Sequence, residues 1–135
     1  MRRERGGATV ELVLVTPLLL LLALLAIAGG RLVEARADVD GAARDAARAA
    51  SLRHDVPSAT KAATAIAQAS LGGPGASCRH LDVVTETAEL RPGGWVAVRV
   101  TCAVDLAEVA ALRLPGSTMV SARVVEPVDA FRSAP

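Results

Sequence analysis

Aromatic residues are almost missing from this chain: 135 residues contain one Trp, one Phe and no Tyr. Any core must therefore be built from Ala, Val and Leu, without the large area that a buried ring contributes. The same shortage removes the stacking platforms that hold single-stranded nucleic acid. An excess of charge is missing as well. The formal net charge is +1, and beyond Gly30 basic and acidic residues balance, so there is no basic field to attract phosphates. No GxSxG, HExxH or Gly-rich phosphate loop occurs. His54, beside Asp55, and His80 stand alone and read as surface residues, and no nucleophile, base and orienting group can be assembled around them. The expectation is a protein that is not an enzyme, carries no cofactor and binds no nucleic acid. Cysteine is limited to Cys78 and Cys102. With His80 they would offer three metal ligands without a standard spacing, so no metal is expected. No internal repeat is present.

What the chain does have is a long apolar run. Residues Ala8 to Ala28 are apolar apart from Thr9, Glu11 and Thr16, and as a helix they reach roughly 31 Å at about 1.5 Å per residue, enough to cross a bilayer. Arg2, Arg3 and Arg5 precede the run, and the positive-inside rule then keeps the N-terminus cytoplasmic and sends everything after Gly30 across the membrane. Once that segment is subtracted, the remainder suffices for one small domain. Glu11 is the anomaly. A carboxylate inside a spanning segment is a functional candidate by default, although its position near the helix start also lets a plain anchor snorkel it to the headgroups. Pro17 removes one helical hydrogen bond, that to the carbonyl of Val13, and predicts a kink.

Beyond the apolar run, Arg31 to Arg53 reads as a continuation of the same helix. Leu32, Ala35, Val39, Ala42, Ala46 and Ala49 recur at spacings of three and four as one apolar stripe, with Arg36, Asp40, Arg44 and Arg48 on another face. Asp40 and Arg44 can pair one turn apart. An Ala-dominated stripe holds a coiled coil weakly, so the expectation is a helix lying on its own domain. Pro57 ends that helix or opens the next, which is expected from about Ser58 to Leu71. Gly72-Gly73-Pro74-Gly75 breaks it. The strongest strand pattern is in Trp95 to Leu106, where Val96, Val98, Val100, Cys102 and Val104 alternate with Arg99, Thr101 and Asp105. His80 to Leu90 and Thr118 to Glu126 read as its neighbours, separated by turns at Arg91-Pro92-Gly93-Gly94 and Leu114-Pro115-Gly116. The predicted fold is α+β: a long membrane-spanning helix continuing as an amphipathic helix, a second short helix and a small three-stranded antiparallel sheet.

Both cysteines fall on the exported side, where disulfides persist. A single Cys78–Cys102 bridge is the economical reading; two separate thiols or an intermolecular bridge are the alternatives. A hairpin closing at Arg91 to Gly94 sets Cys102 opposite a residue near Val83 and leaves Cys78 beyond it, so the bridge requires the preceding loop to fold back.

Two processing signals compete at the N-terminus. One is a secretory signal peptide cut after Ala26-Ile27-Ala28, leaving Gly29 first; it implies a secreted or signal-anchored envelope binding protein. The other is a cut after Gly6, leaving Gly7 first, Glu11 fifth and the apolar helix attached. The run is longer than a signal h-region, and Glu11 and Pro17 would be odd in a disposable segment. Gly6, Glu11 five residues on and the long apolar helix resemble a type IV prepilin leader. The early Pro17, the segment Gly29 to Ser51 with Asp40, Ala42, Ala43, Arg44, Ala46, Ala47 and Arg48, and the three-strand tail resemble more narrowly the TadE-like minor pilins, or pseudopilins, of tight-adherence (Flp) pilus systems. Leu12 departs from the family pattern, since many pilins place an aromatic directly after the glutamate, and this departure counts against the major Flp pilin class more than against the minor one. The resemblance implies a cytoplasmic leader over residues 1–6, a transmembrane helix over 7–30, an extracytoplasmic helical region over 31–71 and a small β-rich region over 72–135. It implies cleavage between Gly6 and Gly7 by a prepilin peptidase, and a role for Glu11 in subunit assembly. The implied partners are the membrane, other pilin or pseudopilin subunits and the Tad/Flp assembly machinery.

Overall fold

A computed structural model of the chain describes residues 5–73, 78–105 and 116–131. Two helices and three strands follow in order: α1 (Arg5–Ser51), α2 (Val56–Leu71), β1 (Cys78–Glu86), β2 (Trp95–Asp105) and β3 (Ser117–Pro127). The arrangement is the expected α+β.

Helix α1 is one continuous helix of 47 residues, roughly 70 Å long at 1.5 Å per residue. It stays helical through Pro17. The expected transmembrane and amphipathic segments are thus two halves of a single rod. Its buried residues, Ala35, Val39, Ala42, Ala43, Ala46, Ala47 and Ala50, make a wider stripe than the spacing suggested, while Ala49 is only half-buried. The cause is that α1 packs against α2 on one flank and against β2 and β3 on another. One narrow seam cannot serve both.

Helix α2 starts two residues before the expected Ser58 because Asp55 caps it. The Asp55 carboxylate accepts the Ser58 backbone N–H at 2.8 Å and the Ser58 hydroxyl at 2.7 Å, leaving Pro57 in the first turn, where its missing N–H costs nothing. These bonds hold the Asp55 carboxyl below the usual aspartate range. Ala59, Ala63, Ala67 and Leu71 recur every four residues and face inward. Alanines on both helices let the two backbones approach closely.

The sheet is an antiparallel meander in the order β1-β2-β3, and the two helices cover one of its faces. The inward residues of β2 (Val96, Val98, Val100, Cys102 and Val104) are essentially inaccessible and form the centre of the core. Toward both edges the cover thins: Leu81 and Val83 of β1 and Ala122 and Val124 of β3 are only partly buried. The β1–β2 turn begins earlier than expected, β1 ending at Glu86, because Leu90 N–H turns back to the Thr87 carbonyl at 3.0 Å. Gly93 takes a positive φ of 75°. A Cβ on Gly94 would lie 2.1 Å from the Glu89 carbonyl oxygen, so this turn admits no larger residue there. Past β3 the chain still pairs: Val128 N–H donates to the Gly94 carbonyl at 2.9 Å and Gly93 N–H to the Val128 carbonyl at 3.2 Å.

On the outer face Arg123 of β3 reaches across β2 to Glu86 of β1, and its Nε and Nη2 donate to the two carboxylate oxygens. Ala97 lies fully buried in the intervening strand. Arg123 lowers the Glu86 pKa and is itself held protonated more firmly.

Candidate functional site

The first half of α1 is the unusual surface. From Val10 to Ile27 every side chain is exposed, including Leu14 at 70% and Leu25 at 68%. Among the described residues this is the one helix long and apolar enough to cross a membrane, and none of its apolar stretch is buried. A continuous apolar surface of this size on a folded chain marks a membrane or a partner.

Glu11 is the sole ionisable residue between Arg5 and Arg31, and it too is exposed. Gly6 and Gly7 lie in the first turn of α1. Gly7 precedes Glu11 by four residues, so the two share a helix face about 6 Å apart along the axis. The Thr16 hydroxyl donates to the Leu12 carbonyl at 2.6 Å, which satisfies a polar group without water and makes it tolerable in hydrocarbon. Pro17 in the next position offers no N–H to the Val13 carbonyl. Around Ala28 and Gly29, where the competing cut would fall, the helix is unbroken.

Cys78 and Cys102 come together far from this surface, with Cα atoms 5.4 Å apart and the sulfurs at bonding distance. Cys102 lies opposite Leu81, close to the expected Val83, and Cys78 lies beyond it, opposite Val104. The register shifts between Cys78 and His80, leaving Arg79 as the extra residue of a bulge. Without it Cys78 would point to the outer face, since successive side chains of a strand alternate. The bulge brings both cysteines to the helix-facing side, beside Ala35, Val39 and Leu71. Arg79 is held by an ion pair with Asp105 at 2.8 Å. The expected folding back concerns the loop Gly72 to Ser77, whose residues 74–77 lie outside the described residues. Sequence reasoning missed the bulge, for which Arg79 and Asp105 left no local signal.

His54 is exposed in the α1–α2 connection and His80 is exposed on β1. Among the described residues no three His, Cys, Asp or Glu side chains gather as metal ligands. Asp40 and Arg44 pair on α1 as the spacing suggested.

Residues 6–48 match the family model described as TadE-like protein. The matched segment runs from Gly6 through the exposed apolar surface and Glu11 to the Ala-Arg stretch of α1. The match is confined to α1 and leaves α2 and the sheet outside it. No curated protein and no solved structure matches the chain.

Proposed function

Since residues 6–48 are TadE-like, we propose that this chain is a minor pilin or pseudopilin of a tight-adherence pilus system, a bitopic membrane protein and not an enzyme. Its N-terminus is cytoplasmic and its α/β domain lies outside the membrane. A prepilin peptidase cuts between Gly6 and Gly7, and the trimmed α1 remains as the membrane segment and assembly element.

The observation that carries this reading is an apolar helix left wholly uncovered by its own domain, holding a single carboxylate one turn after a Gly-Gly pair. Cleavage would create an ammonium on Gly7. In hydrocarbon an isolated carboxylate is strongly disfavoured, and so is an isolated ammonium. Each offsets the other's desolvation, within one chain or between neighbouring subunits, which biases subunits toward a register that pairs every glutamate with an amine.

The test is N-terminal sequencing of the mature protein taken from membranes. Gly7 is the expected first residue. Gly29 would instead make it a secreted envelope binding protein, and Met1 an untrimmed anchor. Gly6→Leu should block trimming, because a peptidase cutting between two glycines has no room for a bulky residue there. Unchanged electrophoretic processing of that variant would sink the prepilin reading.

A further inference from the structure

We propose that a second copy of this chain docks along β3 with its own β1, parallel and head-to-tail, so that the sheet continues from one copy to the next. Three observations lead there. First, both edges of the sheet lack a strand partner among the described residues. β3 is a long edge of 11 residues with no lysine and its one proline at the last position, and of its two charged residues Arg123 is turned inward along the sheet to Glu86, so length and composition leave it open to pairing. Second, the apolar inner face does not stop at the edges. Ala122 and Val124 at one end and Leu81 and Val83 at the other are half-buried, and a groove bounded by Val33 and Ala37 of α1 and Met119 and Ala122 of β3 lies beside the β3 edge. An added strand would cover these residues.

The third observation selects the partner and its direction. A meander of three antiparallel strands has both edge strands running the same way. Pairing β3 with β3, or β1 with β1, in the antiparallel sense about a two-fold axis would turn the second copy upside down, with its α1 pointing away from the membrane. Like edges paired in parallel would keep that direction but put the second copy's helices on the opposite face of the sheet, whereas β3 against β1 of the next copy, in parallel, keeps every α1 pointing into one bilayer and the apolar inner face continuous. This step rests on the proposed role of α1 as the membrane segment. The outer-face residues agree with it. If the rows of the sheet run on, with Arg99 flanked by Val84 and Arg123, and Thr101 by Asp82 and Ser121, Arg123 meets Val84 of the second copy, with that copy's Asp82 and Glu86 on either side. Ser121 then meets Asp82. No like charges face each other across the new seam, so it carries none of the repulsion that like-charged cross-strand neighbours add.

The experiment uses the full-length chain in its native membrane with two exposed positions changed, Ser121→Cys and Asp82→Cys, followed by mild oxidation and non-reducing electrophoresis. The double variant should give a ladder at multiples of the chain mass. Each single variant should stay monomeric, and cells making both single variants should give a dimer and nothing larger. A dimer from Ser121→Cys alone would mean two-fold edge pairing and overturn the proposal. So would a product that is no multiple of the chain mass, which would mean a different protein on the edge, or the absence of any ladder while both new thiols react with maleimide. Met119→Cys with His80→Cys, one row along, repeats the test if the first pair disturbs folding. N-terminal sequencing of the same membranes keeps the two ideas apart: no ladder from chains beginning at Gly7 removes the sheet extension alone, and a ladder from chains beginning at Gly29 removes the pilin reading alone.

Discussion

Replacing Cys78 and Cys102 together by alanine tests what the bridge contributes to the small sheet. The cysteines are 24 positions apart in sequence, and for a loop of that size the chain-entropy relation gives about 3.5 kcal/mol at 25 °C. That is a large share of the roughly 5–15 kcal/mol by which a domain is stable. For a domain of about 100 residues each kcal/mol moves the unfolding midpoint by about 4–8 °C, so the loss should be roughly 14–28 °C. The loop encloses the β1–β2 turn and most of both strands, which makes the effect global to the sheet. Trp95 supplies the assay. It is the only tryptophan, stands at the start of β2 and faces Pro127 of β3, so its fluorescence follows sheet melting in the detergent-solubilised full chain. The oxidised parent should resist alkylation, and reduction should lower its midpoint to that of the double variant. A drop below about 4 °C, or rapid labelling of either thiol in the native oxidised protein, would refute the reasoning.

Glu11→Ala and Glu11→Gln should both insert and be trimmed normally, yet support few or no pili when either is the only copy, because neither can offset a buried ammonium; normal piliation at normal abundance would remove Glu11 from the mechanism. Asp55 gives a pH signature. Its folded pKa is depressed by the Ser58 hydrogen bonds, so its contribution is present above the ordinary aspartate pKa of about 4 and is lost as pH falls through the lower folded value. Helix content and melting midpoint of the parent should fall over that acid window, Asp55→Asn should keep the cap without that dependence, and Asp55→Ala should lose the cap at every pH. Ala63→Leu, at a fully buried site between the helices, should cost about 1–3 kcal/mol through overpacking, read as a lower melting midpoint; an unchanged midpoint would mean that the helices are not closely seated.

The sequence by itself determined the elements and their sides. The apolar run, the Ala spacing after Gly30 and the alternation in β2 are local periodicities, and each survives in the structure as an exposed rod, a packed helix and a one-sided strand. The resemblance that residues 6–48 bear to the TadE-like family was legible because it lies in one unbroken stretch of chain. What only the tertiary structure decided was register and breadth. Ala43, Ala47 and Ala50 joined the buried stripe because α1 touches a helix and a sheet at once, which no single period describes. Cys78 reached the side of Cys102 because one extra residue, Arg79, shifted the phase of β1, and a one-residue slip sends every following side chain to the opposite face. The Glu86–Arg123 bridge spans a separation of 37 residues, and its partners meet only once β2 lies between them. Local spacing records which face a residue takes within its own element; it carries nothing about the neighbour on the next one, because that choice is made by closing chain loops against each other.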